Sequence, residues 1–278
     1  MRDVTVGAAA PPPDAILRLL DRGSGKAKRP RGRPPEGSGA DALVQSFNSW
    51  AFKREQPDNL ETLKHVARAA IERDSPLAFV LYWGRGPRAH VAAPERQCLD
   101  FLAALAHRVR TQHAAGAEVT IICTDTHAEL NGHSPLSTRR YFVEVQREAA
   151  QRGFRARLLS DLVGCAEDRI DEARALERPS PEILRGLIAS AAKWYAGGLS
   201  AEEGARLYYR ANMIEKQAVE AAFPDAIFIT FNGSEFRPLF PDRMPIFYMY
   251  SVRRGVAVKP WFMPAERDEA ARQPETVR

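Results

Sequence analysis

The sequence predicts an α/β fold, a Rossmann-like, mostly parallel sheet with a helical insertion and a β-rich C-terminal part. Three observations predict it. Two short apolar-rich runs of strand length, LAFVLYW (77–83) and EVTIICTD (118–125), lack the strict alternation of a half-exposed strand and read as strands covered on both faces. Segments with apolar residues at helical spacing lie between and after them, and alternating strands and helices favour parallel crossovers. Each run gives way at once to glycine and polar residues, and open parallel sheets bind ligands beyond the carboxyl ends of their strands.

Residues 58–73 (DNLETLKHVARAAIER) carry the helical period, beginning after Pro57 and stopping before Asp74-Ser75-Pro76. The first strand, 77–83, ends in Gly84-Arg85-Gly86-Pro87-Arg88, a tight loop. A strong amphipathic helix follows over 94–113, with Pro94 suited to its first turn, and Gly116 ends it before the second strand. The stretch THAELNGHSPLS reads as a polar loop. The helical period returns over 137–153 up to Gly153, and a third strand is expected near 154–159. Three helical segments, near 165–177, 180–196 and 200–222, then form the insertion or cap. The chain closes with strands at 226–232, 245–252 and 255–262, the last two joined by a hairpin turn at Arg253-Arg254-Gly255.

With 278 residues, 45% of them hydrophobic, the chain can bury a sizeable core, which excludes a fibrous or wholly disordered protein. No run approaches the roughly 18 to 20 apolar residues of a membrane-spanning helix, and no compact apolar segment of the signal-peptide kind opens the chain, so a soluble cytoplasmic protein with no membrane partner is expected. The net charge of +5 is concentrated. Arg22, Lys26, Lys28, Arg29, Arg31 and Arg33 occur without an acidic residue between them, and together they exceed the excess of the whole chain. Residues 1–45, which include AAAPPPD and GSGKAKRPRGRPPEGSGAD, are read as a disordered basic tail, residues 46–264 as the α/β catalytic domain, and 265–278 as a frayed charged tail. Cys98, Cys123 and Cys165 form no CxxC pair, which argues against a disulfide framework or a zinc knuckle, and the first two suit buried thiols.

The residues after each strand carry the candidate chemistry. Tyr82, Trp83, Arg85 and Arg88 follow the first strand, Asp161 the third, and Asn232 and Glu235 the strand that ends at Phe231. All of these, with Asn131, are read as substrate-binding. The Gly84–Arg88 loop supplies two permissive glycines and two guanidiniums next to a helix start, a combination suited to a phosphate or carboxylate, although it is neither GxGxxG nor a Walker loop. Asp125, His127, Glu129 and His133, with Asn131 among them, crowd carboxylates and imidazoles into nine residues. That set suits a metal site, metal-free acid–base work, or a solvated loop in which Asp125 caps the next segment. Its spacing is not HExxH. We read the four as catalytic, with no metal and no cofactor. Tyr248, Tyr250, Trp261 and Phe262 fit either an aromatic wall or core. A nucleophilic serine finds no GxSxG.

In the basic tail, Lys28-Arg29-Pro30-Arg31-Gly32-Arg33-Pro34-Pro35 resembles an AT-hook, a short extended peptide whose Arg31-Gly32-Arg33 core would enter a narrow A·T minor groove. Across residues 76–262 the order of SPLAFVLYWG, Cys98-Leu99-Asp100-Phe101-Leu102, GAEVTIICTD, LLSDLVG, FPDAIFITFN and KPWF resembles the pyoverdine/dityrosine biosynthesis family, the isocyanide (isonitrile) synthases. That resemblance implies a Rossmann-like enzyme that converts the amine of an L-amino acid into an isonitrile with a carbon from ribulose 5-phosphate. Arg85 and Arg88 would then suit the sugar phosphate, and Asp125 and His127 the proton transfers at the amine. The chain departs from the family after the first strand, where Gly84-Arg85-Gly86-Pro87-Arg88 replaces a proline- and lysine-containing stretch. The expected partners are therefore a small amino-acid substrate, a phosphorylated sugar and, through the tail, A·T-rich DNA. Two other readings use the same architecture: a ligand-sensing α/β protein tethered to DNA by its tail, and an S-adenosylmethionine- or nucleotide-dependent transferase.

Overall fold

A computed structural model describes residues 39–84, 86–163, 179–249, 251–253 and 256–258. The first described element corrects the boundary of the tail. Residues 39–45, assigned above to the basic tail, belong to helix α1 (Gly39–Phe47), whose Ala40, Leu43, Val44 and Phe47 are buried. Those four positions repeat at helical spacing. The Phe47 ring packs edge-on against Phe79 at 5.5 Å and Phe247 at 5.4 Å between centroids. A neighbouring Gly/Ser/Pro-rich run hid one amphipathic stripe.

Helix α2 (Leu60–Glu72), strand β1 (Leu77–Trp83), helix α3 (Ala93–Arg110) and strand β2 (Ala117–Cys123) follow within a few residues of the expected limits. Gly116, at φ 74°, makes the turn into β2. The expected polar loop is not a loop throughout. Asp125–Leu130 forms the short helix α4, and α5 (Pro135–Ala150) begins two residues earlier than the period suggested, because Ser134 caps it by accepting from the Ser137 N–H at 3.2 Å. Strand β3 (Arg155–Leu158) leads into α6 (Ser160–Val163). The helix expected at 165–177 lies outside the described residues. Helices α7 (Pro181–Trp194) and α8 (Ala201–Ala222), strand β4 (Ile227–Thr230), a 3-10 turn (Ser234–Leu239) and β5 (Ile246–Tyr248) complete the main layer. Strands β6 (Ser251–Arg253) and β7 (Val256–Val258) pair antiparallel, so the single strand expected over 245–252 is divided: its first half joins the main sheet as β5 and only its last residues enter this pair.

The main sheet has the order β3-β2-β1-β4-β5 and all its pairs are parallel. Winding runs outward from β1 to β3, returns to β4 beside β1, and continues to β5. The order therefore reverses between β1 and β4, the kind of switch point beyond whose carboxyl ends open parallel sheets bind ligands. Strand parity splits the core. Leu77, Phe79, Leu81 and Trp83 point into the larger cluster with α1, α2, α3 and α5, while Val80 and Tyr82 point the other way with Ile122, Phe228, Ile214 and Val219. Helix α8 is thus no appended cap. It is the crossover that covers the second face of the sheet, and α7 packs on its outer side through Leu187, Ala205, Tyr209 and Met213.

Candidate functional site

The second face, under α8, holds a cluster of buried polar groups at the carboxyl ends of β1, β2 and β3. Helix α4 starts directly from β2, so its first turn is held at the strand end. Asp125 is 8% exposed and reaches the neighbouring strand end: its carboxylate accepts from the Ser160 N–H at 3.1 Å and from the Ser160 hydroxyl at 2.5 Å. That bridge locks the end of β2 to the start of α6. His127, one residue beyond Thr126, is 7% exposed, and its Nε2 donates to Glu215 Oε2 from α8 in a short hydrogen bond. Thr126 Oγ1 donates to the other oxygen, Glu215 Oε1, at 2.5 Å. Glu215 is only 2% exposed, so a buried carboxylate here is matched by two donors from one short helix.

Two aromatic rings enclose the imidazole. Tyr208 lies 4.9 Å and Tyr82 6.2 Å from the His127 ring between centroids. Tyr82 packs in turn on Phe228 at 5.1 Å. Burial, and then the negative charge of Glu215 and the neighbouring Tyr208 and Glu220, push the Tyr82 phenol well above its ordinary range, and burial followed by Glu215 does the same to Tyr208. Both phenols are therefore neutral. Nε2 is engaged by Glu215, which leaves Nδ1 as the imidazole nitrogen outside the pair. On α8, Tyr208, Asn212, Glu215 and Val219 follow one another at three- and four-residue spacing and so share the stripe that faces the sheet. The helical roof is fastened over this cluster. The Ala196 N–H donates to Asn131 O at 3.1 Å, and Gly132, at φ 83°, passes so near Ala196 that a Cβ would lie 2.8 Å from its carbonyl carbon.

The sequence-selected residues divide accordingly. Asp125, His127 and Tyr82 belong to the cluster. Asn131 supports it from the backbone side, donating through Nδ2 to His127 O at 2.8 Å. His133 lies at its edge, where Gly86 approaches closely enough that a Cβ would meet the ring nitrogen at 3.0 Å. Glu129 and Asp161 are exposed. Arg88 is exposed and faces the buried Glu95 at 3.7 Å, on the α3 side. Trp83 is fully buried in the opposite core, donating to Tyr141 Oη at 3.1 Å, so the reading of it as a substrate contact is corrected by strand parity. Asn232 and Glu235 are exposed at the end of β4, next to a segment held by Glu55, which accepts from the Ser234 N–H at 3.0 Å. Tyr248 is core, its hydroxyl donating to Asp58 at 2.9 Å. Arg85, Tyr250, Trp261, Phe262, Cys165 and Arg31-Gly32-Arg33 lie outside the described residues. The buried Cys98 and Cys123 have thiols pushed up by burial, so they are unreactive as nucleophiles.

Sequence reasoning missed Glu215, Tyr208 and Asn212. The available signal was polar residues within the most buried stripe of a long helix, in RANMIEKQAVE. Among the described residues no three His, Cys, Asp or Glu side chains gather as a metal site, and no helix is long and apolar enough to cross a membrane. An open groove of about 500 Å³, bordered by Gln217, Glu220, Asp242 and Arg243, lies toward the last turns of α8 and the start of β5, the opposite end of the sheet from the carboxyl ends of the strands.

No family model matches this chain, and no curated protein matches it. Solved structures do. The PvcA protein from Pseudomonas aeruginosa is similar over 81% of this chain and 88% of its own, at 17% identity and a TM-score of 0.54. Tyrosyl-tRNA synthetase complexed with L-tyrosine from Pyrococcus horikoshii covers 80% of this chain and 58% of its own, at 14% identity and a TM-score of 0.45. The enzyme of the same name from Archaeoglobus fulgidus, also complexed with L-tyrosine, covers 76% and 63%, at 13% identity and a TM-score of 0.47. The first of these likenesses places the chain in the α/β class with a Rossmann-like sheet.

Proposed function

We propose that the protein is a biosynthetic enzyme that modifies the amine of a small amino-acid substrate in the manner of the isonitrile synthases, with His127 as proton acceptor and Glu215 as the group that orients it. The observation that carries this reading is the buried His127–Glu215 pair at the carboxyl ends of the strands, enclosed by Tyr82 and Tyr208. A free amino acid carries its amine as ammonium, which must lose a proton before the nitrogen can attack carbon. His127 Nδ1 takes that proton, and Glu215 then faces an imidazolium, whose charge it stabilises. Asp125 serves as the brace between strand ends and leaves the proton transfer to His127. The order of sequence segments that resembles the isonitrile synthases supports the same class, and the fold shared with the PvcA protein is compatible with it.

For a sugar-phosphate co-substrate the positive charge comes from the Gly84–Arg88 loop, which touches the cluster through Gly86 and His133. The test is incubation of the purified full chain with the standard amino acids and ribulose 5-phosphate, followed by mass spectrometry. An isonitrile product that disappears in His127→Ala supports the reading. Wild-type product formation in His127→Ala overturns the site, and no modified amine from any amino acid overturns the function.

A further inference from the structure

Two buried polar atoms beside the His127–Glu215 pair have no hydrogen-bond partner among the described residues: Asn212 Oδ1 and Tyr82 Oη. Native interiors carry few such atoms, and each one left unpaired is destabilising. Asn212 is 2% exposed and sits on α8 between Tyr208, whose ring contacts His127, and Glu215, which bonds it. Tyr82 reaches the same imidazole from β1. The two carboxylates of the cluster already accept hydrogen bonds, Asp125 from Ser160 and Glu215 from Thr126 and His127, and they make the surroundings acidic. A cationic guest suits such a lining.

Resting on the function proposed above, we infer that Asn212 Oδ1, Tyr82 Oη and His127 Nδ1 form a tripod of acceptors for the three N–H groups of a primary ammonium, and that the site selects primary amines. His127 takes the proton from one arm of the tripod, giving a neutral amine and an imidazolium; the N–H bond breaks at nitrogen and re-forms at Nδ1. Asn212 and Tyr82 retain the other two. A substrate with an N-methyl group, or with its nitrogen closed into a ring, lacks one donor and leaves one acceptor buried and bare.

The experiment uses the full chain and titration calorimetry. The standard L-amino acids are screened, and the tightest binder is compared with its N-methyl derivative and its deaminated acid. Wild type is expected to prefer the primary amine over the N-methyl derivative by about 10- to 100-fold, the range for a lost hydrogen bond to a charged group. Asn212→Leu and Tyr82→Phe each weaken the primary amine by a similar factor, leave the deaminated acid unchanged, and melt at or above the wild-type temperature because an unpaired polar atom has been removed. If both variants keep wild-type affinity and its preference for primary amines, the tripod is overturned while the proposed function stands. Both variants melting lower with unchanged affinity also overturns it, since the two atoms then serve the fold through buried water. If wild type binds no amino acid, the tripod and the function fall together. Should Asn212→Leu not fold, Tyr82→Phe decides alone.

Discussion

Tyr82 and Trp83 are neighbours in the chain and lie on opposite faces of the sheet, which decides what each can do. Trp83 is sealed in the core and donates to Tyr141, so Trp83→Phe should lower unfolding stability by about 1–3 kcal/mol in urea titration, with turnover per folded molecule retained. Glu215 invites the opposite result. Under the proposed function, Glu215→Gln preserves shape but removes the charge that stabilises the imidazolium formed at His127, so kcat should fall about 10²- to 10⁴-fold with little change in melting temperature. Asp125 behaves differently from both. It accepts two hydrogen bonds from Ser160, and Asp125→Ala leaves those donors bare, so a stability loss of about 1–3 kcal/mol should precede any effect on chemistry. Asp125 and His127 were legible from sequence as ionisable residues after a strand. Glu215 was not, because its partner stands 88 residues earlier and only the crossover brings α8 over the end of β2.

Among the elements, α1 and α4 were hidden for different reasons. Helix α4 is six residues of DTHAEL, too short and polar for an apolar stripe to register, and its position is dictated by the strand it continues. Helix α1 has the stripe but follows low-complexity sequence. Its burial yields a prediction about truncation. Compared with removal of residues 1–38, removal of 1–45 strips Leu43 and Val44 from the core and should cost about 3–6 kcal/mol, measured by chemical unfolding. The α3–α5 seam carries a separate prediction. Burial alone would raise the Glu148 carboxyl, but hydrogen bonds from Arg96 at 3.0 Å and Arg152 at 3.0 Å outweigh it and hold the carboxyl below its ordinary range. A group depressed in the folded state contributes stability that is present above its unfolded value and is lost as pH falls through the folded one. The acid limb of the stability profile should therefore be shallower in Glu148→Gln, a comparison made by melting between neutral pH and the acid range below ordinary carboxylate titration.

For the whole molecule, most of the excess positive charge belongs to the segment before α1, while the candidate site is lined by carboxylates, phenols and an imidazole. The two therefore call for separate experiments. If the Arg31-Gly32-Arg33 segment contacts A·T-rich DNA, binding should weaken steeply with salt and vanish when residues 1–38 are removed, with enzymatic turnover unchanged; filter binding across a salt series checks both. Persistent binding by the truncated protein would place the contact elsewhere.

The sequence by itself determined the α/β class and the order of strands and helices, and it pointed to the polar residues beyond the strands as the candidate site. Those features follow from local periodicity and from the polarity change where a buried strand ends. The tertiary structure alone decided which of those residues meet. Strand parity sent Tyr82 to one face and Trp83 to the other, the β3-β2-β1-β4-β5 order put its reversal between β1 and β4, and α8 returned across the sheet to set Glu215 against His127. Contacts between residues far apart in the chain depend on the handedness and path of a crossover, and no local pattern of side chains encodes that path.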